Sequence, residues 1–327
     1  MTQKMAKYLV TGIAGFVGSS IARELVRRGE SVRGVDNFET GKWENIKGIC
    51  DHLDFREIDI LDLPSLKEAM TGIDCVFHEA ALPSVPLSVA NPVRSHDINI
   101  NGTLNVLLAA RDAGVRRVVY AASSSAYGET PTLPKHEEMQ PAPISPYAVQ
   151  KLTGEHYMQC FAKVYTLETV CLRYFNIFGP HQAANSPYSG VIAKFITQML
   201  EGNSPAIHGD GEQSRDFTYV ENAVQANLLA ACAPAEAVSG KTFNVATGRQ
   251  ISLNQMFDIL REILDFRGHA KYTETRTGDI RHSLADISLA RDAFHYQPKI
   301  SFEEGLQRTV EWYKTEMRSA LASATAV

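Results

Sequence analysis

Tyr147-Ala148-Val149-Gln150-Lys151 sets a phenol and an ammonium four residues apart. On a helix that spacing puts both side chains on one face. A positive charge near a phenol favours the phenolate and draws its pKa down from about 10. Tyr147 is therefore a candidate general base, prepared by Lys151. Upstream, the apolar run RVVYAA ends in Ser123-Ser124-Ser125. Ligand sites in open α/β folds gather at the C-terminal ends of parallel strands. A hydroxyl at Ser123 is placed to share a reacting oxygen with Tyr147. A surface Tyr–Lys pair, or a serine turn that caps a strand, would read the same way, so neither motif decides alone.

A second constellation suits a phosphate. Thr11-Gly12-Ile13-Ala14-Gly15-Phe16-Val17-Gly18 follows a strand-like run and opens a helical one. The glycines serve a tight turn, the close approach of a pyrophosphate and helix–strand packing. The helix N-terminus adds N–H groups and partial positive charge. Asp36 ends the next strand-like run, with Asn37 after it. A carboxylate there accepts hydrogen bonds from both adenosine ribose hydroxyls and repels a 2′-phosphate, which favours NAD over NADP.

These residues need a frame. Lys7–Thr11, Ser31–Asp36, Asp74–His78, Arg117–Ala122 and Glu168–Arg173 read as strands. Helical patterns over 15–28, 93–113 and 146–164 alternate with them. That rhythm predicts right-handed βαβ units, a Rossmann-type doubly wound parallel sheet. After Gly179 it breaks into polar loops and amphipathic helices over 189–201, 253–265 and 302–317. We expect a cofactor domain over 1–178, with 216–247 returning to it. A smaller mixed α/β substrate domain spans most of 179–327. The Ala/Ser-rich tail from Ser319 is expected to fray.

The chain has 327 residues, which fits two domains. Its formal charge is −5, and no basic run suggests a nucleic-acid partner. No apolar run approaches a membrane span, and the N-terminus lacks a signal-peptide pattern. Five cysteines at scattered positions fit buried thiols in a reducing cytoplasm rather than a disulfide or zinc framework. The histidines show no metal-ligand spacing, so no metal is expected.

Taken together, Gly12/Gly15/Gly18, Asp36, Asn99–Thr103, Ser123–Gly128, Tyr147/Lys151 and Leu172–Asn176 resemble an extended short-chain dehydrogenase/reductase. More closely, they resemble the NAD-dependent UDP-sugar 4-epimerases, from about Lys7 to about Trp312. The resemblance implies that Tyr147 takes the proton of the sugar 4-hydroxyl, with Ser123 bonded to the same oxygen. NAD takes up the C4 hydride and returns it to the other face of a 4-keto sugar. It places Phe16 and Val17 on the cofactor side of the glycine loop and Asp59-Ile60 beside the adenine. Ala80 and Ala81 would line the cofactor groove. Asn99 would support the nicotinamide end, Lys151 would bind its ribose, and the Tyr174 main chain would approach the carboxamide.

For the substrate it implies Arg215 and Arg276 on the diphosphate, where planar guanidinium suits phosphate. Asp279 would hold the ribose or orient Arg276, and Asn176 would contact phosphate or sugar. Val191, Ala206 and His208 would surround the uracil. Ser84, Ser124 and Ser125 would lie near an acetamide. Position 283, where a bulky Tyr restricts relatives to glucose and galactose, is Ser283 here. Room for an N-acetyl group follows, and UDP-GlcNAc/UDP-GalNAc are the expected substrates, with UDP-Glc/UDP-Gal also fitting. A UDP-glucuronate 4-epimerase and a non-catalytic dinucleotide sensor are the competing readings; the intact Ser123, Tyr147 and Lys151 speak against the second. Relatives dimerise through two helices per subunit, here 93–113 and 146–164, so a homodimer is expected. Two departures stand out. Pro83 replaces a small or basic residue. Glu79, in HEAAL, puts a carboxyl where the family usually has Gln, Leu or Phe; it either faces away or alters the charge beside the nicotinamide.

Overall fold

The computed structural model describes residues 6–183, 190–275 and 281–325, with backbone alone over 319–325. Seven parallel strands make the central sheet: β1 (Lys7–Thr11), β2 (Ser31–Asp36), β3 (Leu53–Glu57), β4 (Cys75–His78), β5 (Arg117–Ser123), β6 (Glu168–Tyr174) and β7 (Lys241–Val245). Their spatial order is β7-β6-β5-β4-β1-β2-β3. The chain winds outward from β1 to β3, crosses back to β4 and winds outward again. The order therefore reverses between β1 and β4, which opens a crevice at their C-terminal ends. The Rossmann-type sheet predicted from the strand–helix rhythm is present.

Strands β4 and β5 are covered on both faces, which explains their uninterrupted apolar character. Helices α1 (Phe16–Arg27), α2 (Leu63–Met70), α3 (Thr103–Asp112), α4 (Pro146–Val164) and α5 (Val220–Cys232) provide the cover. Val10, Phe77, Val119 and Leu172 join one core, shared with α1 and α5. Leu9, Val76, Val118 and Cys171 point the other way, into a core with α2, α3 and α4. Alternate residues of one strand thus feed opposite cores.

Three readings of the sequence change. The helix expected over 93–113 is two helices, Pro92–His96 and α3, joined by a π-helical turn over Asp97–Gly102. A side chain at Gly102 would meet Ile60 Cδ1 at 2.4 Å, so the turn lies flat against the loop after β3. Strand β3 and helix α2 were not anticipated; LDFRE is polar at alternate positions and half-exposed. The last helix, Phe302–Thr325, continues through residues expected to fray. Beyond the sheet, Ala206–His208 pairs with Lys271–Thr273, and Ser214–Arg215 pairs with Ile251–Ser252. No helix among the described residues is long and apolar enough to cross a membrane.

Candidate active site

A cleft of about 730 Å³ runs along the C-terminal ends of β1, β2, β4, β5 and β6. Its first wall is the glycine turn. Gly12 N donates to Val35 O at 2.8 Å, and Gly15 N to Gly12 O at 3.0 Å. Gly12 has φ +67°, and a Cβ there would stand 2.7 Å from the Ala80 backbone. At Gly18 a Cβ would stand 2.2 Å from Gly12 O. Both contacts are with backbone, which cannot swing aside. Gly15 caps α1 with no side-chain acceptor, so the first-turn N–H groups are left for a ligand at the cleft wall. That is a fitting seat for an anionic pyrophosphate. The expected result for Gly18→Ala is a protein that loses about tenfold to a hundredfold in NAD retention, the equivalent of about 1–3 kcal/mol of overpacking. Cofactor extracted from purified protein measures it, and wild-type content would contradict this account.

Asp36 closes the far end. Its carboxylate accepts from Ala14 N at 2.9 Å and Phe38 N at 2.8 Å. Burial pushes its pKa up, and those N–H groups oppose the shift. Asn37 Nδ2 donates to Asp59 Oδ2 at 3.0 Å, and Arg94 ties Glu39 to the same rim. Asn45 Nδ2 and Lys42 N both donate to Ala14 O, folding the loop after β2 over the glycine turn. Sequence reasoning missed these two residues, since nothing in KWENIKG marks the loop as returning.

The reacting end lies where β5 meets α4. Ser145 caps α4 by accepting from Ala148 N, and Pro146 holds the first turn. A side chain at Gly154 would strike the Tyr120 hydroxyl at 2.3 Å, so glycine lets α4 lie close on β5. Tyr147 and Lys151 therefore both reach the cleft, beside Ser123. Ser123 Oγ accepts from Ser125 N at 3.2 Å and Ser125 Oγ at 2.9 Å, which leaves its own O–H to donate elsewhere. Burial pushes the Tyr147 phenol up to about 12, and the hydrogen bond with Ser123 opposes it. Lys151 Nζ donates to Ala121 O at 2.7 Å and stands 4.8 Å from the Tyr120 ring centre. Burial pulls Lys151 down to about 8, opposed first by Glu79. Desolvation thus dominates both members of the pair in the protein alone.

Of the residues singled out from the sequence, Gly12, Gly15, Phe16, Val17, Gly18, Asp36, Asn37, Asp59 and Ile60 line this one cleft. So do Ala80, Ala81, Ser84, Ser123, Tyr147, Lys151, Tyr174 and Asn176. Asn176 takes a left-handed turn, φ 40°, and its Nδ2 donates to Asp216 O. Asn99 sits behind the wall, 2% exposed. Its amide exchanges hydrogen bonds with the Leu82 backbone and donates to Gln150 Oε1, so it shapes the loop rather than facing the cleft. Ser124 and Ser125 form a 3-10 turn next to Ser123. Val191 starts the helix Val191–Leu200, and Ala206 and His208 flank a short strand. Arg215 and Ser283 are neighbours, as Ser283 N donates to Ser214 O at 3.0 Å. None of these seven is among the residues that line the cleft. Arg276 and Asp279 lie outside the described residues. Glu79 faces inward: Tyr174 O–H donates to its Oε1 at 2.9 Å.

The chain is similar to known proteins over nearly its whole length. Residues 8–246 match the model of the NAD dependent epimerase/dehydratase family. A putative UDP-glucose 4-epimerase of Methanocaldococcus jannaschii is 38% identical over 95% of this chain and 99% of its own. A UDP-glucuronate 4-epimerase of Thermodesulfobacterium geofontis is 35% identical over 95% of this chain and 97% of its own. Among solved structures, the UDP-N-acetylglucosamine 4-epimerase of Methanobrevibacter ruminantium, in complex with UDP-N-acetylmuramic acid, superposes with a TM-score of 0.90. It is 41% identical and covers 96% of this chain and 100% of its own. With a glycine turn, an acidic β2 terminus and a Ser–Tyr–Lys group in one cleft, the chain belongs to the NAD dependent epimerase/dehydratase family.

Proposed function

We propose that this enzyme, an NAD-dependent UDP-sugar 4-epimerase, acts on hexoses carrying a 2-acetamido group and interconverts UDP-GlcNAc and UDP-GalNAc. The observation that carries the reaction class is the convergence of Ser123, Tyr147 and Lys151 on a cleft whose other end suits a dinucleotide. Gly12, Gly15, Gly18 and Asp36 would hold the cofactor, with Lys151 at its nicotinamide ribose. NAD, when bound, supplies the acceptor and donor for the C4 hydride and a cationic ring. Tyr147 takes the proton of the sugar 4-hydroxyl and returns it at the end of the cycle. Ser123 donates to the phenol oxygen, which favours the phenolate. The Lys151 ammonium, fixed on Ala121 O, adds positive charge on the same wall. Its burial makes that charge stronger per unit distance than it would be in water.

The sugar choice rests on small residues. Ser283 and the hydroxyls of Ser84 and Ser124 would offer room and donors for an acetamide, and Ser125, whose O–H donates to Ser123, would offer room. Arg215 and Arg276 are assigned to the diphosphate, Asn176 to phosphate or sugar, and Val191, Ala206 and His208 to the uracil.

Separate incubations with UDP-GlcNAc, UDP-Glc and UDP-GlcA, resolved by NMR, test the assignment. UDP-GalNAc is the expected product of the first. Exclusive turnover of UDP-GlcA would replace this reading with the glucuronate one. Ser283→Tyr should lower kcat/KM for UDP-GlcNAc by about tenfold or more, an overpacking cost of about 1–3 kcal/mol, while sparing UDP-Glc. Unchanged UDP-GlcNAc turnover would remove Ser283 from specificity.

A further inference from the structure

Glu79 lines the cleft, on the loop after β4. Its carboxyl is fixed from behind. Tyr174 O–H, at the end of β6, donates to Oε1 at 2.9 Å. Asn227 Nδ2, on α5, donates to that same Tyr174 oxygen at 2.7 Å. Asn227 thereby uses Tyr174 as an acceptor, and the Tyr174 proton goes to Glu79. The chain α5–β6–Glu79 gives this carboxylate one orientation.

The groups around Lys151 say what that carboxylate faces. His78, on β4, is buried between Thr11 Oγ1 and Thr103 Oγ1, and burial keeps it neutral. Tyr120 on β5, Cys171 on β6 and Tyr147 on α4 are all pushed towards their neutral forms by burial, and the Glu79 charge itself adds to the push on Tyr147, so any help it gives the phenol runs through Lys151. Two acids remain near the ammonium. Glu155, one turn on along α4, is held by Arg173, with contacts of 2.9 and 2.7 Å. Glu79 is the other: β4 and β5 pair His78 with Tyr120, which sets Glu79 beside Ala121, whose carbonyl holds Lys151 Nζ, and both side chains line the cleft without a direct ion pair. No described cation other than Lys151 acts on Glu79. A buried ammonium needs a compensating charge or it gives up its proton.

We propose that Glu79 is the counter-ion of Lys151 and so a positioning residue of the reaction, holding the lysine charged where Tyr147 needs it. This rests on the reading of Lys151 as part of the reacting site. Burial pushes Glu79 up to about 7, opposed by Tyr174 and Lys151. The sign follows. Above that pH Glu79 is ionised and supports the ammonium. Without it, Lys151 loses its proton at a lower pH than the about 8 it reaches here.

Glu79→Gln keeps the shape and the acceptor for Tyr174 and removes the charge. Trace acetylation of the holoenzyme between pH 6 and 10, with Lys151 followed by mass spectrometry, reads the lysine's titration without any substrate. The expected result is a fall of about one pH unit in Glu79→Gln, with Glu79→Asp nearer to wild type. The alkaline limb of kcat/KM should move down by the same amount, with thermal unfolding and cofactor content unchanged. An unmoved Lys151 titration in Glu79→Gln overturns the proposal, as does a shift that Glu79→Asp does not reduce. If Glu79→Gln does not fold, Glu79→Leu is read in its place: a fall of about one pH unit in the Lys151 titration supports the proposal, and a wild-type titration overturns it. Absence of UDP-sugar turnover in the wild type would strike the 4-epimerase reading instead, and the Lys151 titration would still be readable.

Discussion

Tyr147→Phe should lower kcat by about 10²- to 10⁴-fold, the usual worth of a positioned acid–base group, while bound NAD stays at wild-type content. The two readouts separate because of where the hydroxyl sits. The ring of Tyr147 lines the cleft, its backbone N donates to Ser88 Oγ, and the helix start is fixed by Ser145. None of these needs the phenol oxygen. Removing it should therefore leave α4 and Lys151 in place. The effect should fall on kcat and kcat/KM together, since the lost interaction belongs to the proton transfer rather than to substrate binding. Variant activity within about tenfold of wild type would mean that another group takes the proton. A matching loss of cofactor would mean that the substitution disturbs the fold of the cleft.

Glu155→Ala should destabilise the protein by about 3–5 kcal/mol, read by urea unfolding. Arg173 and Glu155 are 4% and 1% exposed and meet in two parallel hydrogen bonds. Arg173 also lies 4.6 Å from the Tyr127 ring centre. Removing the carboxylate leaves a guanidinium in the core without its hydrogen-bonded counter-charge, and that desolvated cation is the source of the loss. The pair has a second consequence. It joins α4, which carries Tyr147 and Lys151, to β6, which carries Tyr174. Glu155→Ala should therefore release cofactor at temperatures where wild type retains it. A double change of both residues to methionine should recover much of the stability, because a well-packed apolar pair carries no uncompensated charge. A single-variant loss below about 1 kcal/mol would show that the pair is not isolated from water as described.

The legible parts of this molecule are the local ones. A glycine turn and a YxxxK pair each carry their geometry within a few residues, and both lie in the cleft. Strand β3 hides because it is an edge strand whose half-exposed surface calls for charged residues. The break at Asp97–Gly102 hides because no local signal marks it and its packing on Ile60 is a tertiary contact. Asn99 reads as a cleft residue but is turned onto Leu82 by that same π-helical turn. The direction of Glu79 depends on Tyr174, 95 residues away in sequence. The YxxxK pair predicts an ammonium preparing a phenol; it does not reveal that burial works against both, which requires the cover supplied by β5 and β6.

The central claim is that C4 of a UDP-hexose is transiently oxidised and reduced within this cleft. UDP-GlcNAc deuterated at C4 tests it most directly. After conversion in ordinary water, NMR of the product should show the deuterium retained at C4 of UDP-GalNAc, with no solvent proton there. Product carrying a solvent proton at C4, or inversion at another carbon, would contradict the account.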